Sequence, residues 1–133
     1  MSHIPAGFSA VVPYLLLDRA DAFLTFASDA LGATERMVAR DPSGRLMHAE
    51  IVVEGCVIEL GQPNGPFTPT RTHLHIFVAD PDAAVARALA AGATLLYPVT
   101  DHEYGERSGG VSDPWDNQYY FAAVIDPTRR ATA

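Results

Sequence analysis

Five residues in this chain have side chains suited to acid–base or metal chemistry and sit inside apolar segments: His48, Glu50, Glu59, His73 and His75. His73 and His75 stand two apart in RTHLHIFV (residues 71–78). An extended chain turns both to one face, with Leu74, Ile76 and Val78 on the other. Such a pair can be metal ligands, an acid/base couple, part of a drug pocket, or two surface side chains of a half-buried sheet. In RLMHAEIVV (45–53) the same alternation groups Met47, Ala49, Ile51 and Val53 against His48, Glu50 and Val52. In CVIELG (56–61) it groups Cys56, Ile58 and Leu60 against Val57 and Glu59. A carboxylate in such a strand can act as a general base where it is buried, or is merely solvated where the face admits water. Parity makes Cys56 an inert core thiol.

These residues need elements to carry them. Residues 11–17, VVPYLLL, read as a strand, and Asp18 or Asp21 can cap the helix ADAFLTFASDAL (20–31). Phe23, Phe26, Ala27, Ala30 and Leu31 form its apolar stripe, and Gly32 suits a left-handed C-terminal cap. A strand over 34–39, a DPSG turn at 41–44 and a hairpin across Glu54-Gly55 complete this half. The second half repeats the plan. THLHIFVA (72–79) is a strand, Asp80 caps a helix with Pro81 at its first position, and that helix ends at Gly92. TLLYPV (94–99) is followed by a long loop, DHEYGERSGG (101–110), then a short strand near Val111 and the strand QYYFAAV (118–124). Both helices run into Gly-Ala-Thr, at 32–34 and at 92–94. QPNGPFTP (62–69) reads as a linker. The expectation is an internally duplicated βαβββ unit, module one about 9–61 and module two about 70–125, in a single domain over residues 1–133.

If the purely apolar faces lie under the helices, the mixed faces carry His48, Glu50, Glu59, His73, His75 and Phe77. Two such sheets facing one another would enclose a cavity with apolar walls and a few polar groups, the usual construction of a ligand site. Tyr14, Phe77, Trp115, Tyr119 and Tyr120 can stack a flat ligand. Parity puts Tyr14 and Tyr120 inward and Tyr119 in the core. Arg107, in the long loop, can meet an anionic ligand group or pair with Glu106 or Asp113. His102 in that loop and His3 near the terminus carry no expected role.

Nine basic residues against sixteen acidic give a formal net charge of −7. That argues against nonspecific nucleic-acid binding, which needs Lys and Arg on phosphates, and is compatible with a neutral or cationic ligand. No stretch approaches the roughly 18 apolar residues of a membrane span, and no secretory leader is visible in MSHIPAGFSA. A single cysteine excludes an intrachain disulfide and a CxxC metal site, so cytoplasmic residence is expected.

The duplicated βαβββ plan, with VIEL closing one half and YGERSGGVSDPWDNQYYF the other, resembles the vicinal oxygen chelate superfamily of glyoxalases, bleomycin-resistance proteins and extradiol dioxygenases. MHAEI and VADPDAAVARALAAGA look most like its PhnB-like branch. The resemblance implies an α+β fold, two tandem modules forming a curved mixed sheet around a cavity, in a homodimer. Metal-dependent relatives draw two ligands from each half. Those positions fall on Val12, Glu59, His73 and Tyr120, of which Glu59 and His73 keep ordinary ligand chemistry. His75 and His48 are neighbours able to substitute in a site for Zn, Ni or Fe. The resemblance therefore implies a small-molecule binder of the drug- or metabolite-resistance type with no cofactor, and the residues themselves offer Tyr14, His48, His75, Phe77, Trp115, Tyr120 and Arg107 as contacts. The alternative is a lyase, isomerase or dioxygenase, either metal-dependent or using Glu59 as base beside His73.

Overall fold

The same element order occurs twice along the chain, in a computed structural model that describes residues 2–130. The first set is β1 (Tyr14–Leu16), α1 (Ala20–Leu31), β2 (Thr34–Arg40), β3 (Leu46–Val53) and β4 (Cys56–Gly61). The second is β5 (His73–Phe77), α2 (Pro81–Ala90), β6 (Thr94–Asp101), β7 (Glu106–Ser112) and β8 (Gln118–Val124), followed by a short α3 (Pro127–Arg130). The chain divides into two compact units between Thr70 and Arg71. Each unit holds one four-stranded mixed sheet, ordered β1-β4-β3-β2 in the first and β5-β8-β7-β6 in the second. β1–β4 and β5–β8 are the parallel pairs, and the other neighbours are antiparallel.

The duplication extends to an irregularity. β2 shifts register on β3 between Glu35 and Met37, and β6 shifts on β7 between Leu95 and Tyr97. Counted from the shared Gly-Ala-Thr, the two bulged residues, Arg36 and Leu96, occupy the same place. A bulge leaves one residue unpaired and re-aims its side chain. In the first unit that side chain is Arg36, which matters below.

In the first unit the core is Leu15, Phe23, Phe26, Ala27, Ala30, Ala49, Ile51, Val53, Ile58 and Leu60, all buried. The apolar stripe of α1 and the helix-side faces of β3 and β4 are thus as expected, with one correction. Met47 is exposed and Leu46 is fully buried. A second register shift, between Ala39/His48 and Arg40/Leu46, leaves Met47 as the extra residue and flips the alternation there. The Glu54-Gly55 turn has positive φ at both residues, 48° and 75°, as a tight hairpin requires. Cys56 is another correction. It is exposed, because it directly follows that turn at the end of the sheet, where parity no longer implies cover.

The first strand is shorter than the sequence suggests, beginning at Tyr14, and Val11 is exposed. Neither Asp18 nor Asp21 caps α1. Its N-cap is Arg19 in a left-handed conformation, with no side-chain cap bond. The Ala20 N–H instead reaches Gln62 Oε1 at 3.4 Å, while Asp21 pairs with Arg40. Gly32 does close α1 in the left-handed conformation.

In the second unit Asp80 caps α2 by accepting from the Ala83 N–H at 3.1 Å, with Pro81 following, as expected. The long loop over 101–110 is not a loop. Residues 94–101 and 106–112 form a hairpin around a tight turn in which His102 N donates to Glu106 O at 2.7 Å. Two glycines of this segment are there for packing. A Cβ on Gly109 would stand 2.8 Å from Val99 Cγ2 and 2.9 Å from Val85 Cγ2, and one on Gly110 would collide with the Tyr97 ring. The small residues let α2 and Tyr97 approach β7, which conceals the strand signal. The DPWDN turn is built around Asp113. Its Oδ1 accepts from Trp115 N and Asn117 N, and its Oδ2 from Asn117 Nδ2 and the Tyr119 hydroxyl. Tyr119 is a core residue, as parity suggests.

Candidate functional site: the mixed faces of the two units

On the first unit's sheet, Tyr14 pairs with Glu59, Glu59 with Glu50, and Glu50 with Met37, so one cross-strand row carries a phenol and two carboxylates. His48 lies two residues along β3 from Glu50, on the same face. Its Nδ1 is 3.1 Å from the Tyr14 hydroxyl and its Nε2 is 3.1 Å from Glu50 Oε2. Glu59 Oε1 is 3.8 Å from the same Nε2. The bulge brings in Arg36, whose Nε lies 3.4 Å from Glu50 Oε1. Arg36 Nη2 also donates to Ala6 O at 2.7 Å, and its guanidinium sits over the Phe8 ring. Arg36 was not singled out in the sequence, since only a broken register aims it there.

The Tyr14 side chain is partly exposed, and its hydroxyl lies 3.1 Å from where a Cβ on Gly61 would be. Burial of that hydroxyl, and then the Glu59 charge, raises the phenol above its ordinary pKa. It is therefore a neutral donor and acceptor at physiological pH. Tyr14 also walls a cavity of about 470 Å³ with Leu16, Met47, Gly61, Asn64 and Phe67. A second cavity, about 490 Å³, opens on Glu50, Glu59 and Arg36, with Ile4, Phe8 and Val12 as apolar lining.

The equivalent row of the second unit is Tyr97, Gly110, Tyr120 and His75. Glycine thus stands where the first unit has Glu50, and Tyr120 where it has Glu59. His73 Nδ1 is 2.7 Å from the Tyr120 hydroxyl, which donates to Gln118 Oε1 at 2.6 Å. With the Tyr120 proton directed at Gln118, His73 Nδ1 is the donor of this pair. His75 has a different partner. Its Nε2 is 3.3 Å from Glu106 Oε1, and the other oxygen of this buried carboxylate pairs with Arg130. Arg130 in turn lies over the exposed Phe77 ring. Tyr97, buried Ser108 and His102 form a hydrogen-bonded chain, with 3.1 Å and 2.9 Å links. His102 thus has a structural role that its apparent loop position hid.

Two residues expected at the site stand elsewhere. Arg107 lies on the helix side of β7. It is bonded to Asp82 at 2.9 and 3.0 Å and to Asp101 at 2.8 Å, and not to Glu106 or Asp113. Trp115 is half-buried in the β7–β8 turn, beyond the strand rows. Glu106, the buried partner of His75, opens β7, and its place in a segment rich in glycine and charge hides that role in the sequence.

The four positions implied for a metal divide two and two between the units. Val12 offers no donor atom, and the Tyr120 hydroxyl is already engaged by His73 and Gln118. Two donors remain, Glu59 and His73, where three protein ligands are usual. This donor set does not fit a divalent metal. A different set lies within the first unit: His48, Glu50 and Glu59 offer ligand atoms that all lie within 4.8 Å of one another.

Twin βαβββ units with polar rows on otherwise apolar faces define the glyoxalase/bleomycin-resistance fold. The chain belongs to the glyoxalase-like domain family, whose pattern matches residues 15–122. An uncharacterised protein of Mycobacterium bovis is 31% identical over 121 residues, covering 83% of this chain and 80% of its own length. The fold is shared with a glyoxalase/bleomycin resistance protein/dioxygenase superfamily member from Sphaerobacter thermophilus, at TM-score 0.69 and 22% identity over 86% of this chain and 98% of that one. It is shared as well with a PhnB protein from Bacillus cereus, at TM-score 0.65 and 14% identity over 87% of this chain and 100% of that one.

Proposed function

We propose that this protein binds a small, flat organic molecule in the cavity walled by Tyr14, sequestering a drug or metabolite without a catalytic metal at the family positions. The observation that carries the reading is the cavity itself: about 470 Å³, with the exposed faces of Tyr14, Met47 and Phe67 as its walls. That volume is in the range of small-molecule sites, and aromatic walls suit a flat ring. Arg45, Gln62 and Asn64 are the polar residues that join Tyr14 in its lining. Isothermal titration against a panel of aromatic antibiotics and metabolites tests it. Micromolar binding that weakens at least tenfold in Tyr14→Ala and Phe67→Ala is the expected result. A panel without binders, or binding untouched by both substitutions, counts against it.

One observation favours a second reading, a lyase or isomerase. The Glu59 carboxylate opens on the second cavity beside His48, where it can take a proton from a bound carbon acid and return it. Unchanged turnover in Glu59→Gln would remove that reading.

We further propose that the protein is a cytoplasmic homodimer and that both modules act as one domain over residues 1–133. Exposed Met37, Phe67, Leu95 and Leu96 are apolar surface that a second copy can cover. Among the described residues no helix is long and apolar enough to cross a membrane. Sedimentation at low micromolar concentration tests the dimer, cell fractionation the compartment, and a single calorimetric unfolding transition the domain.

A further inference from the structure

We propose that His48, Glu50 and Glu59 form a divalent transition-metal site within the first unit, and that metal binding turns the Tyr14 hydroxyl from a donor to His48 into a donor toward the adjoining cavity. This is a different donor set from the one the fold family implies, and it lies on one sheet.

The geometry carries the first half. Donor atoms about 2.1 Å from a tetrahedral zinc stand roughly 3.4 Å from one another. His48 Nε2 is already 3.1 Å from Glu50 Oε2 and 3.8 Å from Glu59 Oε1, and all three ligand atoms lie within 4.8 Å. Small side-chain rotations close the set. All three residues are half-buried, so the carboxylates are partly shielded from water yet reachable through the cavity of about 490 Å³. Of the two Glu50 oxygens, Oε1 faces Arg36 and Oε2 faces His48. Two carboxylates against one guanidinium leave the cluster one negative charge in excess when His48 is neutral. Imidazole with carboxylates suits zinc, nickel or iron.

The second half follows from His48 having two partners. Without a metal, an ionised Glu50 carboxylate 3.1 Å from Nε2 can only accept, which places the ring proton on Nε2 and leaves Nδ1, 3.1 Å from the Tyr14 hydroxyl, as that hydroxyl's acceptor. A metal on Nε2 requires a lone pair there, so the proton moves to Nδ1. One proton leaves Nε2 for water and one enters at Nδ1, with no net release. Nδ1–H then donates to the Tyr14 oxygen, as metal-bound histidines commonly donate their second N–H to a neighbour. The Tyr14 O–H loses its acceptor and is free to donate to a molecule in the cavity of about 470 Å³. Metal occupancy thus changes what the cavity recognises. The inference rests on the cavity reading only through Tyr14.

Zinc titration of the full metal-free chain tests the site. One zinc per chain at micromolar affinity is expected, at least tenfold weaker in His48→Gln and in Glu59→Gln and within twofold of the parent in His73→Gln. ¹⁵N NMR of the histidine rings reads the switch: zinc should leave His48 protonated at Nδ1, and Tyr14→Phe should weaken zinc binding about tenfold. No zinc binding, zinc binding indifferent to both His48→Gln and Glu59→Gln, or loss in His73→Gln overturns the site. A zinc-bound His48 still protonated at Nε2 overturns the switch. Zinc is the sole probe, so failure here is separate from a ligand panel without binders.

Discussion

The Tyr119 hydroxyl donates a 2.6 Å hydrogen bond to Oδ2 of the buried Asp113, the same carboxylate that organises the turn between β7 and β8. Burial, then the Asp113 charge and this bond, hold the Tyr119 pKa far above its ordinary value. Tyr119 therefore acts only as a neutral donor. Tyr119→Phe removes one of two donors to Oδ2, leaving Asn117 Nδ2. The expected cost is about 1–3 kcal/mol, since the acceptor is a buried charge. Urea unfolding of the two proteins measures it, and a difference below about 0.5 kcal/mol contradicts it.

Gly109 tests why the 106–112 strand escapes sequence reading. A Cβ there meets Val99 and Val85 at 2.8 and 2.9 Å, so α2 and β6 must both give way. Gly109→Ala should cost about 1–3 kcal/mol by overpacking, although alanine is the better strand former. A variant as stable as the parent would show that the glycine is only a relic of a loop.

The Arg107 network makes a pH-dependent prediction. The hydrogen bonds from Arg107 hold the Asp82 carboxyl below its ordinary pKa. A depressed folded-state pKa contributes stability above the unfolded value, about 3.9, and loses it as pH falls through the folded one. Arg107→Ala should therefore lower Tm at pH 7, with the difference shrinking below about pH 4. Thermal melts at the two pH values decide it. A gap that persists into strong acid would mean that packing, and not charge, is what Arg107 supplies.

Cys56 is exposed at the start of β4. The native protein should react with one equivalent of a thiol reagent such as Ellman's reagent without denaturant. A thiol that titrates only in guanidinium would return Cys56 to the core.

Much of the architecture is legible in the residues alone. The stripe on α1, Asp80-Pro81 ahead of α2, the Glu54-Gly55 hairpin and the repeated Gly-Ala-Thr are local signals, each a short-range consequence of backbone geometry. They suffice for twin βαβββ units, and period-2 alternation suffices to put His48 and Glu50 on one face of their strand, while the pairing of Glu50 with Glu59 brings in the third. What failed is what depends on neighbours. Met47 changes sides because β3 bulges against β2, Cys56 is exposed because the sheet ends beside it, and Arg107 turns to Asp82 because α2 packs there.

The site divides along the same line. The sequence alone grouped the side chains of each strand by face, since alternation is a property of one strand. It also determined that Val12 cannot be a metal ligand, since that is a matter of side-chain chemistry. Only the tertiary structure decided that Arg36 reaches Glu50, that Glu106 lies buried behind His75, and that Tyr14 links His48 to a cavity. Those relationships depend on register between strands, and a single unpaired residue is enough to move a side chain from solvent to the site.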